Sequence, residues 1–560
     1  MNRNESTIRK DSLLWACLPL ILLLAGCGED RGARMIEQKT VVEQPAQIDV
    51  YAEDILQETL SDLVARNGRL DDSTSLRSIH LIRHLYESGE FKPLWSAKGV
   101  FRPRADSLLR LLDSVQLLGF LDTDYHIPEL RALHGPLRKD TAKQNRLDAS
   151  LWSRADLLLT SAFVELVKDL KVGRIQEKRD SLLSEPFFAQ QLERFSSLPT
   201  DSFVAALEPK HRGYHELKAV IPRYLDSADL RPFTFVRGRD SAERVAVLMK
   251  RLREEDSTIV AGGQPDSLQL ASAIRSYQKM KGWKVDGKYN GDLLNRVNNT
   301  GRYRFLRIGM NLDRYKQLPD TLPGQYIWVN IPEAYLQLMN ADTVALVSKV
   351  VVGKPNTRTP LITSAISDMI TYPQWTIPAS IIEKEILPAL KRDPNYTNRK
   401  GYSLVDKDGN VVNPHTVDWS KYKKGIPYKV VQGSGDANAL GVIKFNFPNK
   451  HSVYLHDTNQ RYLFARKARA LSHGCVRVES WKALADYILT NDSLFSELAT
   501  PRDSLDAWLS RKEKRVIPVR KRVPLYIRYF TCGAKNGKVV FYDDVYGEDK
   551  RLRERYFALK

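Results

Sequence analysis

The chain has 560 residues, which excludes one ordinary domain and implies roughly three or four. Apolar residues make up 42% and charged residues 27%, a normal globular balance with ample material for buried cores. The formal net charge of +19 is either a solubility surface or a match for anionic partners: nucleic acid, a lipid surface or a carboxylate-bearing polymer. No zinc-knuckle spacing and no RNP-like motif supports nucleic acid, which is set aside.

In chain order, Arg3, Arg9 and Lys10 precede the apolar run "LLWACLPLILLLAG", residues 13–26. That run is shorter than the ~20 residues a spanning helix needs and ends in small residues, so it reads as an export signal over residues 1–27. Its end, Leu24, Ala25, Gly26 and Cys27, resembles a bacterial lipobox. The resemblance implies cleavage before Cys27 and lipidation there, several acyl chains together giving a firm membrane anchor. The alternative is an ordinary signal peptide with an incidental cysteine. Asp30 is not adjacent to Cys27, so no inner-membrane retention signal is evident and the outer membrane is favoured. Of Cys17, Cys27, Cys475 and Cys532, only the last two would then remain as thiols. A disulfide between them is one possibility. A retained free thiol with a use is the favoured one.

Residues 28–55 are polar and read as a tether. From 56 to 245 the patterns are helical: Leu108, Leu111, Leu112 and Val115 share one face, and Gly119 fits a helix end. His80, His84 and His126 are scattered there as core or surface histidines. Residues 246–300 form a small helical unit with Leu270, Ile274 and Tyr277 on one face and turns at Gly282, Asp286-Gly287 and Gly291. This pattern resembles the three-helix peptidoglycan-binding module, with a structural spacer as the alternative. From 325 to 500 the period shifts to strands, as in "YIWVNIPEAYLQLM", "ALVSKVVVG", "VIKFNFP" and "HSVYLHDT". The polar stretch 376–440 reads as an insertion or lid within this β domain. Residues 501–560 hold "RVPLYIRYFT" and "GKVVFYDDVY", two strands expected as a β extension packing on the same domain. The fold class is therefore multidomain α+β.

The chemistry concentrates in "YLHDTNQRYLFARKARALSHGCVRVES", residues 454–480. Cysteine attacks as thiolate, so Cys475 needs a base or a positive environment. His456 lies upstream on an alternating strand that puts Tyr454, His456 and Thr458 on one face and Leu455 and Asp457 on the other. The Asp457 carboxylate then points away from the imidazole, and a backbone carbonyl is the expected group to fix its tautomer. Gly474 lacks a Cβ, so amides at His473, Gly474 and Cys475 are candidate oxyanion donors, with His473 and Gly474 also shaping the turn. Arg477 is either a forked partner for a substrate carboxylate or a structural ion pair. Zinc spacings are absent, and the order His before Cys disfavours papain-like peptidases.

"YLHDT…SHGCVR" resembles the active-site signature of bacterial L,D-transpeptidases. "VVGKPNTRTPLITSAI", "YPQWTIPASI" and "NALGVIKFNFPN" resemble further segments of that family, and "LYESGEFKPLW" with "LLGFLDTDYH" resembles the scaffold of its large subgroup. "GSGDANALG" departs from that subgroup's usual Pro-Gly-Pro version. The resemblance implies a helical scaffold, a small wall-binding-like module and a mainly β catalytic domain with a lid. It implies that Cys475 attacks the third-residue carbonyl of a peptidoglycan tetrapeptide stem, that D-alanine leaves with proton transfer through His456, and that an amine of a neighbouring stem resolves the thioester into a 3→3 cross-link. Water in place of the amine would make the enzyme an L,D-carboxypeptidase, and a protein-to-wall transferase or an inactive wall-binding lipoprotein are the other readings. Neither a metal nor an organic cofactor is implied. The expected partners are stem peptides and, through the lipid, a membrane.

Overall fold

The computed structural model describes residues 41–139, 145–176, 179–237, 241–260, 265–491 and 501–558. The export signal and Cys27 lie outside the described residues. Among those described, no helix is long and apolar enough to cross a membrane.

The N-terminal half is built around the helix Ala149–Lys171, started by the Asp148 carboxylate accepting from the Ser150 amide. From Ala155 to Leu170 every residue of this helix is buried, because the helices Ile48–Ala65, Ile79–Glu87, Pro103–Asp113, Ile127–Lys139, Glu185–Ser197 and Thr200–Leu207 surround it. Leu108, Leu111, Leu112 and Val115 are all buried, and Gly119 closes the segment at φ 84°. The helix Ile48–Ala65 begins inside the stretch expected as tether. Ile48, Ala52, Leu56, Leu60 and Leu63 form one buried stripe along it, which the polar residues just before it concealed.

The central helix carries buried polar groups that hold the two scaffold motifs. Asp156 accepts from the Tyr86 hydroxyl (2.7 Å) and from the amides of Leu94 and Trp95, while the Trp95 indole donates to Thr160. Further along, Arg174 donates to Asp169, Asp124 and the Tyr125 hydroxyl. Buried charges persist only when satisfied in this way. A short hairpin, β1 (Ser96–Ala97) and β2 (Val100–Phe101), completes this part.

The helices Ser241–Arg253, Ser267–Met280 and Gly291–Asn298 share a small core of their own around Leu248, Leu252, Ile274, Tyr277 and Val297. Gln278 spans the "VDG" turn, its Oε1 accepting from the Asp286 and Gly287 amides and its Nε2 donating to Asp286.

Next comes a helix the sequence reading passed over, Gly301–Tyr315, nearly all of it buried. On one side Leu312 and Asp313 press against Gly119 and Gly173, where a Cβ would lie 2.6–2.7 Å from their side chains. On the other side Arg307 and Arg314 both bind the fully buried Asp549 (2.9 and 2.6 Å), and Asn311 accepts from the Thr531 amide. This helix joins the scaffold to the C-terminal segment.

The C-terminal half contains β3 (Gln325–Asn330), β4 (Tyr335–Asn340), β5 (Thr343–Gly353), β6 (Ile362–Thr371), β7 (Trp375–Thr376), β8 (Tyr402–Val405), β9 (Val411–Val412), β10 (Lys429–Gln432), β11 (Ile443–Asn446), β12 (Leu455–His456), β13 (Ala470–Ser472), β14 (Val476–Val478) and β15 (Val516–Arg528). Nine strands pair in the order β13-β5-β14-β12-β11-β6-β15-β3-β4, and pairing of β4 with β5 closes the sheet. Closure leaves a wall with few open edges around an apolar core that includes Ile366, Phe445, Leu455 and Val476.

The stretch from β7 to β10, expected as an insertion or lid, is a folded subdomain. It has a four-stranded sheet in the order β7-β10-β8-β9 and a core of Ile382, Ile386, Leu390, Leu404, Trp419 and Val430. Its chain enters and leaves through a neck in which Trp375 pairs Gln432 and Thr376 pairs Val431. The segment expected as an extension is integral instead: β15 lies between β6 and β3 and completes the barrel. The last strand pair, β16 (Cys532–Lys535) with β17 (Lys538–Phe541), leaves the barrel and packs on the helices Arg212–Ala219, Ile221–Leu225 and Gly301–Tyr315.

Candidate active site

β12 and β14 lie side by side in parallel register, Leu455 opposite Val476 and His456 opposite Arg477. Alternation sends Leu455 into the barrel core, while Tyr454 and His456 face the other way with ring centroids 5.6 Å apart. Cys475 precedes β14, and the Val476 amide donates to the Tyr454 carbonyl (3.1 Å), so thiol and imidazole come from neighbouring strands. Both line a cleft closed by Trp375, Ser380 and Ile381 of the lid and by the His451–Ser452 turn.

The Cys475 thiol is half-buried and free, with Sγ donating to the Ser452 carbonyl at 3.9 Å. Burial pushes its pKa up; hydrogen bonds from the Tyr454 amide and hydroxyl and the charges of Lys444 and Arg477 oppose that. Lys444 faces His456 across β11 and lies 4.1 Å from the Tyr454 ring. His456 is buried, and burial with the nearby charges of Arg477 and Lys444 pushes its pKa down to about 3. The carbonyls of Asp457 and Leu440 oppose that shift, although the buried Nδ1 makes no hydrogen bond of good geometry. At neutral pH the resting pair is thus a thiol and a neutral imidazole, not an ion pair.

The other predicted residues separate by role. Gly474 sits at φ 124°, and its amide donates to Ser472 Oγ (3.1 Å), which donates to the Cys475 carbonyl (2.6 Å). Its carbonyl accepts from Thr359 Oγ1 (2.8 Å). The Gly474 amide is thereby committed to the turn, which corrects its expected place among the oxyanion donors; the Cys475 amide has no partner among the described residues. His473 stands on the exposed rim, with Nε2 2.5 Å from Glu385 Oε1 of the lid. Arg477 has no carboxylate partner among the described residues: Nη1 donates to Gln460 Oε1 (2.9 Å), and the buried Nε is unbonded. Asp457 turns away from the imidazole, accepting from the Val442 amide (3.1 Å) and from Arg461 (2.8 Å).

Cys532 is buried in a separate cluster, its Sγ donating to the Arg307 carbonyl at 3.7 Å, and burial pushes its pKa up to about 12. Both thiols are free, so no disulfide joins them. The sequence reading missed Lys444, Ser472, Thr359 and Glu385 as parts of the site. Alternation in "VIKFNF" could have put Lys444 on the His456 face; Thr359 lies in the quoted segment "VVGKPNTRTPLITSAI" without a role assigned to it, and Glu385 comes from a distant segment.

Residues 324–500 match the L,D-transpeptidase (YkuD) catalytic domain, and residues 80–220 match the scaffold domain. The chain carries an L,D-transpeptidase catalytic domain on a helical scaffold. A protein of Haemophilus influenzae named "Putative L,D-transpeptidase" is 39% identical over 246 residues, 44% of this chain and 48% of that protein. The chain thus spans about half the length of the curated relative it matches.

Proposed function

We propose that this chain is a peptidoglycan L,D-transpeptidase that forms 3→3 cross-links through a thioester on Cys475. The observation that carries the reading is the placement of a half-buried thiol and a buried neutral imidazole on adjacent strands, under a lid, beside a guanidinium with no carboxylate partner among the described residues. In the first half-reaction Cys475 Sγ attacks the carbonyl of the third stem residue as its proton passes to His456. A neutral pair makes this a general-base step, coupling proton transfer to S–C bond formation. The Cys475 amide donates to the developing oxyanion, and Arg477 holds a stem carboxylate. Collapse breaks the C–N bond, and His456 returns its proton to the departing D-alanine amine. In the second half-reaction a neighbouring stem's amine attacks the thioester, the C–S bond breaks, and the thiol is restored. This acyl transfer needs neither metal nor organic cofactor.

The test incubates the protein with tetrapeptide-bearing muropeptides and follows products by mass spectrometry, with Cys475→Ala as control. Dimers joined through third residues are expected from the native protein only. Tripeptides alone would make it a carboxypeptidase, and equal D-alanine release by the Cys475→Ala protein would exclude a thioester. A lipid at Cys27, on a tether ahead of the first helix, would hold this cleft near the wall from the outer membrane. A Cys27→Ser form that still fractionates with membrane would rule that anchor out.

A further inference from the structure

We propose that His473, oriented by the lid carboxylate of Glu385, is a second base that takes a proton from the acceptor ammonium and so sets the ratio of cross-linking to hydrolysis. The inference rests on the thioester mechanism above. An amine acceptor reaches a neutral solution as ammonium. Turning that nitrogen into an amide removes two protons while the C–N bond forms and the C–S bond breaks. One proton returns to the departing sulfur by way of His456, regenerating thiol and neutral imidazole. The other must leave before the nitrogen lone pair can attack, and it must go to solvent. Water needs no such prior loss, because its product acid ionises afterwards.

The cleft places two imidazoles in unlike positions. His456 is buried and its proton cycles with the sulfur. His473 lines the same cleft from the exposed rim, where a proton can pass on to solvent. The 2.5 Å contact with Glu385 Oε1 fixes Nε2–H as donor and leaves the Nδ1 lone pair as base, the way a carboxylate orients a catalytic imidazole. None of the residues lining the cleft is a carboxylate; its other titratable or charged groups are His451, Tyr454, His456, Cys475 and Arg477. Glu385, reaching the rim from the lid with Glu383 and Lys384 beside it, is the carboxylate joined to that wall. It sits on a single π-helical segment, Ile382–Ile386, a geometry common at functional sites. Arg477 thus suits the donor's anionic end, and the His473–Glu385 pair suits the acceptor's cationic one.

The experiment measures the dimer-to-tripeptide ratio from tetrapeptide muropeptides across pH for the native protein, His473→Gln and Glu385→Gln. At neutral pH His473→Gln should lower the ratio about a hundredfold, the lower end of the usual range for losing one base. Glu385→Gln should lower it less, because the amide oxygen still accepts from Nε2–H. Relative to the native protein, both ratios should recover as pH rises toward the amine's own pKa of about 10, where solvent removes the proton unaided. An unchanged ratio in His473→Gln, or a fall that persists at every pH, overturns the proposal. Native protein that yields tripeptides alone would overturn the cross-linking reading beneath it, and this inference with it.

Discussion

His456 owes its low proton affinity to its place on β12, where burial and the charges of Arg477 and Lys444 disfavour the imidazolium. As the proposed base of the acylation half-reaction it acts only when neutral, so attack on the donor should be lost only as pH falls through about 3. The acid limb of kcat/KM for the donor is therefore expected well below the ordinary histidine value of about 6.5; a limb at 6.5 in that half-reaction would contradict the buried neutral imidazole. His456→Ala should cost at least ~100-fold in kcat/KM. Asp457→Asn keeps an oxygen for the Val442 amide and loses only the half-exposed Arg461 pair. It should stay within about tenfold of native activity, and equal losses in the two variants would show that Asp457 acts on the imidazole after all. These residues were legible early, because a two-residue period separates the faces of "YLHDT". The Gly474 amide was not, since its partner is a serine hydroxyl whose rotation no sequence period records.

At the scale of elements, the turn that carries Cys475 is held from outside its own strand. Thr359 Oγ1 donates to the Gly474 carbonyl and accepts from the Gly353 amide, all three buried. Thr359→Val keeps the shape and strands both backbone groups, which should cost about 1–3 kcal/mol in chemical denaturation and lower kcat more than it raises KM. Strand and lid positions were readable from period and composition. The apolar core of the lid was not, because Ile382, Ile386, Leu390 and Trp419 are spread among charged residues in a stretch whose mean character is polar. β15 misled for another reason: local pattern shows that a segment is a strand but not which strands it joins. A fragment of residues 324–500, the extent of the catalytic-domain match, lacks β15 and should show no cooperative thermal transition, whereas residues 301–560 should retain one.

Across the whole molecule, the helix Gly301–Tyr315 joins the scaffold to the C-terminal segment through an apolar cluster around Phe305 and Ile308 and through polar contacts. Its arginines Arg307 and Arg314 are buried against Asp549. Asp549→Ala would leave two desolvated guanidinium groups unpaired and should cost about 3–5 kcal/mol in denaturant midpoint analysis. A loss under 1 kcal/mol would mean that water reaches this junction.

The position of β15 also imposes an order in time. A chain emerges from its N-terminus, so the cysteine, the histidine and the lid are all made before the strand that completes the wall between β6 and β3. Until that strand arrives the sheet that carries the cleft is open between β6 and β3. A chain made only as far as residue 500 therefore carries the thiol, the imidazole and the lid without the strand that joins β6 to β3.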